Sequence, residues 1–246
     1  MLRIAIQNKT YRNGCCAIEN LDFSAAPGEF LALVGPSGAG KSTLLNMVSG
    51  IDRDFRGSIR WGDQEVHTAP VRLGFLFQEP RLMPWLTVRQ NLMLVLRDKS
   101  GQVAGKSIDD WLADVGLPGC AAMFPGQLSG GMQRRVALLR SFIVNPDLLL
   151  MDEPFQSLDA PTADQLRGLL HGLWQHSAPT VLFVTHNLRE AISVANRILF
   201  LSARPSRVIL DHRISHPQPM HIEDDFVLAE HKRLLDTHPK LLEGYL

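Results

Sequence analysis

A glycine-rich segment at residues 35–43 fits the phosphate-binding pattern GxxxxGK(S/T), follows the apolar run Phe30–Val34 and opens a helical pattern. Glycine lets backbone N–H groups turn toward phosphate oxygens, and a following helix adds partial positive charge. We expect Lys41 to pair with the β and γ phosphates of a nucleotide, and Ser42 to bind Mg²⁺. The alternative is a glycine-rich turn with a solvated lysine, which the complete motif in this context disfavours. The predicted nucleotide-binding residues of the loop are Gly35, Pro36, Ser37, Gly38, Ala39, Gly40, Lys41, Ser42 and Thr43.

Two carboxylates follow a second apolar run at residues 148–151. Ligands of parallel sheets bind beyond the carboxyl ends of the strands. We therefore expect Asp152 to hold Mg²⁺ through water, and Glu153 to orient and deprotonate an attacking water. Taken alone, the pair is equally well explained as two exposed acids that cap a strand. Beside a phosphate loop, the catalytic interpretation is favoured.

One of the nine histidines is set apart by its position. His186 follows the apolar run 181–184, so we expect it at the same sheet edge as Gly35 and Asp152. An imidazole at that edge can hydrogen-bond a γ-phosphate. His186 is therefore a predicted catalytic residue.

A second potential anion site lies at residues 128–135, Leu-Ser-Gly-Gly-Met-Gln-Arg-Arg. Ser129, Gly130 and Gly131 begin an amphipathic helical pattern, where a hydroxyl, free N–H groups and the helix dipole coincide. For this octet in isolation, an ordinary serine N-cap is the preferred explanation.

The elements that must position these residues alternate short apolar runs with helical periodicity, which predicts an α/β protein with a mostly parallel sheet. Fully apolar runs predict buried strands, and half-apolar runs predict a smaller antiparallel sheet. The buried strands are predicted at 30–34, 148–151, 181–184 and 198–201, the half-buried strands at 2–7, 20–25 and 58–61, and a helix at 41–49.

Between about residues 87 and 145 the pattern becomes helical, and we interpret this stretch as an inserted subdomain. Residues 88–92 are predicted to open one helix, and a second is predicted at 108–115, ended by Gly116 and Pro118. A third helix carries one apolar face, formed by Met132, Val136, Leu139 and Ile143. The remaining predictions are a polar loop at 98–106, a polar tail at 212–225 and a last helix at 226–235.

Composition restricts the class of protein. The chain has 246 residues, 45% of them hydrophobic, and equal numbers of acidic and basic side chains, 25 of each. Zero net charge without a Lys/Arg cluster argues against a nucleic-acid partner. Three cysteines with no paired or metal-binding spacing are interpreted as reduced thiols. The first residues lack the apolar core of a signal peptide, and no apolar run could span a bilayer, so we expect any membrane role to act through a partner.

The order of four segments along the chain resembles the ATP-binding-cassette (ABC) ATPase family. These segments are the phosphate loop, the Leu-Ser-Gly-Gly segment with its following Gln-Arg, the Asp-Glu-Pro strand end and the Thr-His pair. The resemblance runs from about residue 2 to 207. It implies a P-loop NTPase, RecA-like, whose mostly parallel core sheet carries an N-terminal antiparallel β subdomain and an inserted α-helical subdomain. The implied single domain spans 1–246, with a core at 1–86 and 146–211, a helical subdomain at 87–145 and a tail at 212–246.

The same resemblance implies further roles for matching positions. Tyr11 resembles the aromatic that stacks on adenine, with a strand tyrosine as the alternative. Gln78 resembles the catalytic glutamine that contacts Mg²⁺ near the transmembrane partner. Asp159 resembles a residue of the loop that crosses the dimer interface. Met132 and Asn187 depart from the family's frequent glutamine and aspartate, and neither departure is expected to disable hydrolysis.

Residues 78–88 and 202–207 resemble the nitrate/sulfonate/taurine importer branch, except that Ser206 replaces a usual glycine. Thiamine or pyrimidine precursors and other small organic solutes are alternative cargoes of this branch. Trp85, between prolines and apolar residues, is either an anchor for a partner helix or a side chain packed between the two lobes.

These resemblances imply an ATPase that uses ATP and Mg²⁺ and works as a homodimer. In that dimer, Ser129, Gly130 and Gly131 contact the γ-phosphate held by the other copy. Implied partners are transmembrane permease subunits and, indirectly, a periplasmic or extracellular solute-binding protein, at the cytoplasmic face of the inner membrane. Three alternatives remain: a soluble ABC ATPase outside transport, which usually has a coiled coil or two cassettes; a non-catalytic clamp, which intact Glu153 and His186 disfavour; and a P-loop kinase, which would lack the Leu-Ser-Gly-Gly segment.

Overall fold

The computed structural model describes residues 1–96, 102–103, 105–216 and 220–246. The strands are β1 Leu2–Thr10, β2 Cys16–Ala25, β3 Phe30–Val34, β4 Arg56–Trp61, β5 Gln64–Glu65, β6 Leu73–Leu76, β7 Gln102–Val103, β8 Lys106–Ser107, β9 Leu148–Asp152, β10 Thr180–Thr185, β11 Arg197–Leu201 and β12 Val208–Arg213. The helices are α1 Lys41–Ser49, α2 Val88–Met93, α3 Ile108–Asp114, α4 Gly130–Phe142, α5 Ala160–Ser177, α6 Leu188–Val194 and α7 Asp225–Thr237.

A six-stranded sheet in the order β12-β11-β3-β10-β9-β6 forms the centre of the fold. All its pairings are parallel except β11 with β12, which is antiparallel. Every residue of β3 and β10 is buried, as expected for strands covered on both faces. A second, four-stranded sheet, β2-β1-β4-β5, is antiparallel throughout.

Alternation along β3 separates two apolar cores, one on each face of the parallel sheet. Leu31 and Leu33 face the core that contains α1 and the inner face of the antiparallel sheet. Phe30, Ala32 and Val34 face the core that contains α5, α6 and α7. The molecule is therefore layered, with α1 held between the two sheets and the long helices on the opposite side of the parallel sheet.

A third apolar core fills the helical region between β6 and β9. Side-chain caps begin its helices: Thr87 accepts a hydrogen bond from the N–H of Gln90, and Ser107 accepts one from the N–H of Asp110. Fully buried Asn91 bonds the backbone of the preceding segment, including the N–H of Met83 at 2.7 Å. This amide ties the start of α2 to the segment that leads from β6.

The predicted fold class is confirmed, including the antiparallel sheet, the mostly parallel sheet and the inserted helical region. The predicted apolar face of the third helix is also present, since Val136, Leu139 and Ile143 are buried in one core and Met132 packs against it. The exact domain boundaries stay a prediction. None of the helices in the described ranges is both long and apolar enough to cross a membrane.

Several elements are absent from the sequence-based prediction. These are the strands β5, β6, β7, β8 and β12 and the helices α5 and α6. Because β12 continues to Arg213, the predicted polar tail at 212–225 overlaps the end of a strand and was placed two residues too early. Of the predicted loop at 98–106, residues 98–101 and 104 lie outside the described residues, and the described part pairs as β7 with β8.

Candidate nucleotide-binding site

Three neighbouring parallel strands deliver the predicted site residues to one edge of the sheet. Thr185 of β10 lies opposite Val34 of β3, and Val184 lies opposite Asp152 of β9. The residues that follow these strands therefore emerge side by side, as the sequence predicted. They are the phosphate loop after β3, Glu153 after β9 and His186 after β10.

The phosphate loop turns through two glycines with left-handed backbone, Gly38 at φ +79° and Gly40 at φ +89°. A side chain at position 40 would also approach the carbonyl oxygen of Ala17 to 3.2 Å. Between the glycines, the N–H of Ala39 donates to the carbonyl oxygen of Pro36 at 3.1 Å. The loop therefore leads directly into the N-terminus of α1, where a helix supplies partial positive charge.

Lys41 lies against this loop and is 5% exposed. Its ammonium group donates to the carbonyl oxygens of Gly35 at 2.8 Å and Pro36 at 3.0 Å, and lies 3.9 Å from Oε1 of Glu153. Burial lowers the pKa of Lys41, while the nearby acids Glu153 and Asp152 act in the opposite direction. A cation is thus held at the base of the loop, where a phosphate would bring further negative charge.

The Ser42 hydroxyl donates to Oδ1 of Asp152 at 3.0 Å, which joins α1 to the end of β9. Burial raises the pKa of Asp152, and the hydrogen bond from Ser42 partly opposes that rise. A hydroxyl and a carboxylate are oxygen donors, which Mg²⁺ prefers. The described residues contain no cluster of three His, Cys, Asp or Glu side chains able to hold a metal ion.

Glu153 and His186 form the second close pair of the site. Oε2 of Glu153 lies 2.8 Å from Nδ1 of His186, and Glu153 is 16% exposed against 47% for His186. The backbone of Glu153 is left-handed at φ +43°, and its N–H donates to the carbonyl oxygen of Val184 at 3.0 Å. The strained backbone turns the carboxylate toward the histidine and the phosphate loop.

Asn187, which departs from the family's frequent aspartate, begins α6. Its Oδ1 accepts hydrogen bonds from the N–H groups of Arg189 at 3.1 Å and Glu190 at 3.4 Å. Its Nδ2 donates to Glu190 at 3.2 Å, and burial raises the pKa of that carboxyl. Asn187 therefore caps the helix that follows His186, a role that an amide performs as well as a carboxylate.

Gln78 lies just beyond β6, and its side-chain amide bonds the amide of Gln156. Arg134, which the motifs do not predict as functional, donates to the carbonyl oxygens of Gln78 at 2.8 Å, Pro154 at 3.1 Å and Gln156 at 3.0 Å. One guanidinium of α4 thus fixes the segments that carry Gln78 and Glu153. Its place in the octet 128–135 is the signal that the sequence offers for it.

Tyr11 lies past the end of β1, not within the strand, and is 39% exposed. Its hydroxyl lies 2.7 Å from Oγ1 of Thr43, and the ammonium group of Lys9 lies 5.0 Å from the ring centroid. The ring therefore stands beside the start of α1 with accessible surface, which is compatible with the predicted stacking on adenine.

Ser129 and Asp159 each cap the start of a helix, α4 and α5 respectively. Ser129 accepts a hydrogen bond from the N–H of Met132 at 3.2 Å, and Asp159 accepts one from the N–H of Thr162 at 3.4 Å. A Cβ on Gly130 would meet open space. Among the described residues, the side-chain hydrogen bonds of Ser129 and Asp159 are these local caps, and their predicted contacts with a nucleotide on a second copy stay predictions.

Comparison with known proteins identifies the family of the chain. The sequence profile of the family described as "ABC transporter" matches residues 18–156. The aliphatic sulfonates import ATP-binding protein SsuB of Bacillus subtilis is 40% identical over 205 residues, which are 83% of this chain and 78% of that protein. SsuB 2 of Burkholderia cenocepacia is 37% identical over 237 residues, covering 96% of this chain and 87% of that protein.

Solved structures agree with the sequence comparisons. The dimeric structure of MJ0796, a bacterial ABC transporter cassette, has a TM-score of 0.75, and the dimeric post-hydrolysis state of MJ0796 bound to ADP and Pi has one of 0.73. Each is 28% identical and covers 88% of this chain and all of the matched chain. The roles of individual site residues stay predictions, whereas the predicted family is confirmed: the chain belongs to the ABC transporter family.

Proposed function

We propose that this protein is the ATP-hydrolysing subunit of an importer for aliphatic sulfonates. The observation that carries the proposal is the single row formed by the phosphate loop, the Ser42–Asp152 pair and the Glu153–His186 pair at one sheet edge. The names of the SsuB relatives support both the ATP-dependent activity and the class of solute.

In this proposal the phosphate loop binds ATP through its backbone N–H groups, through Lys41 and through the N-terminus of α1. Ser42, Asp152 and Gln78 would hold Mg²⁺, which neutralises phosphate charge when it is bound. Ring stacking on Tyr11 would orient the adenine.

Glu153 orients the attacking water and accepts its proton, while His186 hydrogen-bonds the γ-phosphate. The 2.8 Å bond between these side chains supports the assignment, because it fixes the carboxylate relative to the histidine. Arg134 contributes by holding the backbone on either side of Glu153.

Two copies would enclose two nucleotides, and the dimeric MJ0796 structures support this arrangement. Ser129, Gly130 and Gly131 of one copy then contact the γ-phosphate bound to the other, and Asp159 lies at the interface. The terminal phosphate links the copies, so its removal allows them to separate.

The permease would dock where β6, α2 and α4 leave an apolar groove of about 530 Å³. Its lining includes Phe77, Leu94 and Val95, and Leu94 is 52% exposed. Trp85 is 71% exposed, which favours a partner contact over inward packing. This subunit would therefore sit at the cytoplasmic face of the inner membrane, with the solute-binding protein reached only through the permease.

The test is reconstitution of the chain with its permease in vesicles, followed by phosphate release and uptake of a labelled alkanesulfonate. We expect the sulfonate and its binding protein to stimulate ATP turnover and ATP to drive uptake. Uptake of nitrate, taurine or a pyrimidine precursor in place of the sulfonate would refute the proposed class of solute. Absence of phosphate release from the complete assembly would refute the ATPase assignment.

A further inference from the structure

We infer that Arg204 is a nucleotide-positioning residue, because its guanidinium joins the phosphate loop at Gly38 to the hairpin tip at Cys15 that carries Tyr11. This inference rests on the proposed function of that loop and hairpin. It assigns to the 202–207 segment a role in recognising the adenine nucleotide.

Three hydrogen bonds define the contact. Arg204 donates to the carbonyl oxygen of Gly38 from Nε at 3.0 Å and from Nη2 at 2.8 Å. Its Nη1 lies 2.9 Å from Sγ of Cys15. One planar group therefore spans the gap between two segments that adjoin the same nucleotide site.

The bond to Gly38 fixes a particular peptide plane. The carbonyl of Gly38 and the N–H of Ala39 belong to one planar unit and point in opposite directions. Arg204 holds the oxygen end, while the N–H end donates to Pro36 at 3.1 Å. Because glycine has the freest backbone, an external bond at Gly38 restrains the least rigid point of the loop.

The contact at Cys15 restrains the hairpin in the same way. The N–H of Tyr11 donates to the carbonyl oxygen of Cys15, and the N–H of Gly14 donates to the carbonyl oxygen of Tyr11, both at 2.9 Å. A contact at the Cys15 side chain therefore also restrains the backbone of Tyr11. The adenine side and the phosphate side of the site are thus held by one residue.

The segment that presents Arg204 is itself anchored on both flanks. The N–H of Ser206 donates to Ala17 at 2.9 Å, and its carbonyl oxygen accepts from Glu19 at 3.1 Å. On the other flank the N–H of Ala203 donates to the carbonyl oxygen of Gly244 at 3.3 Å. The guanidinium is therefore presented from a fixed backbone, so its contacts need little further ordering.

The contact requires a fork of donors. Arginine presents its N–H groups in one plane and can serve two acceptors at once, whereas a lysine ammonium is a compact point charge. Lysine at this position would keep the positive charge and lose the shared contact. The conservative exchange therefore separates a charge effect from a positioning effect.

The experiment measures binding of ATP and of inorganic tripolyphosphate to the purified chain by calorimetry, and separately measures KM and kcat in the reconstituted importer. For Arg204→Gln we expect both ligands to bind about tenfold more weakly, with KM raised and kcat within about threefold of the wild type. Arg204→Lys should recover less than half of the lost affinity on a logarithmic scale. Arg207→Gln is the matched control, because Arg207 lies in the same segment and pairs with Glu19 at 3.0 Å.

Wild-type affinity in Arg204→Gln, or full recovery in Arg204→Lys, would overturn the inference. Should Arg204→Gln fail to fold, Cys15→Ala provides an independent test, because it cuts only the link to the hairpin. This variant should bind ATP about threefold more weakly and bind tripolyphosphate as the wild type does. Unchanged ATP binding would contradict the proposed link. Both binding tests remain informative even if transport of sulfonates is refuted.

Discussion

The Ser42 hydroxyl lies 3.0 Å from the Asp152 carboxylate, across a gap of 110 positions in sequence. This bond joins the helix that begins at the phosphate loop to the strand that ends at Asp152, one residue before the proposed base Glu153. Neither the phosphate-loop motif nor the acidic strand end alone determines the distance between Ser42 and Asp152. It depends on β3, β10 and β9 being adjacent in the sheet.

Replacement of Lys41 by alanine should abolish measurable nucleotide binding. The side chain is buried against the loop and its ammonium group donates to the carbonyl oxygens of Gly35 and Pro36, so we expect ATP affinity to fall at least tenfold. Isothermal titration calorimetry with ATP measures the loss, and circular dichroism checks the fold. Unchanged affinity would contradict the role of the phosphate loop.

Exchange of Glu153 for glutamine should leave ATP binding intact and slow hydrolysis by about 10² to 10⁴. The amide retains shape and a hydrogen bond to His186 but cannot accept the proton of water. We expect ATP to convert the variant into a stable dimer, observed by size-exclusion chromatography with light scattering. A variant that hydrolyses ATP at the normal rate would refute the assignment of the base.

Trp85→Ala should uncouple the subunit from its permease. Because the side chain is 71% exposed, the free energy of unfolding should change by less than about 0.5 kcal/mol. Co-purification with the permease should be lost, while nucleotide affinity is retained. Ile51→Ala, which removes another exposed apolar side chain at 64% exposure, is the control. Strong destabilisation would show that Trp85 packs inward.

Asp147→Asn should reduce stability at neutral pH and not in acid. Hydrogen bonds from Arg72 at 2.9 and 3.1 Å hold the pKa of Asp147 below its ordinary value. A carboxyl with a depressed folded-state pKa adds stability above its unfolded-state pKa, about 3.9, and loses it as pH falls through the folded-state value. Since Arg72 is 52% exposed, the difference should be at most about 1 kcal/mol.

Urea unfolding of wild type and Asp147→Asn between about pH 7 and about pH 3 measures this dependence. The difference between them should be constant above about pH 5 and shrink below about pH 4. Asp109→Asn, which breaks the exposed pair with Arg89, serves as the control. A difference that grows in acid would contradict the sign of the effect.

The sequence predicts the central strands because their residues are apolar without interruption, as in β3 and β10. It does not predict β6, because Gly74 weakens a short strand pattern. The structure explains that glycine: a Cβ there would lie 2.2 Å from the carbonyl oxygen of Ser141 in α4. Close packing of a distant helix thus selected a residue that obscures the strand.

Site residues that belong to contiguous motifs are predictable, and those that act from a distance are not. Lys41 and Glu153 belong to sequence motifs whose residue types indicate their chemistry. Arg134 and Arg204 donate to backbone carbonyls up to 166 positions away, and neither the octet 128–135 nor the segment 202–207 indicates those partners. Tertiary proximity alone assigns their partners.

With Glu153 as the proposed base, its left-handed backbone opposes thermal stability to catalytic rate. A non-glycine residue in that conformation costs about 1–2 kcal/mol, which glycine largely avoids. Laboratory evolution that rewards melting temperature alone would therefore enrich inert variants at this position. Any thermostabilised form of the protein has to be selected for phosphate release as well.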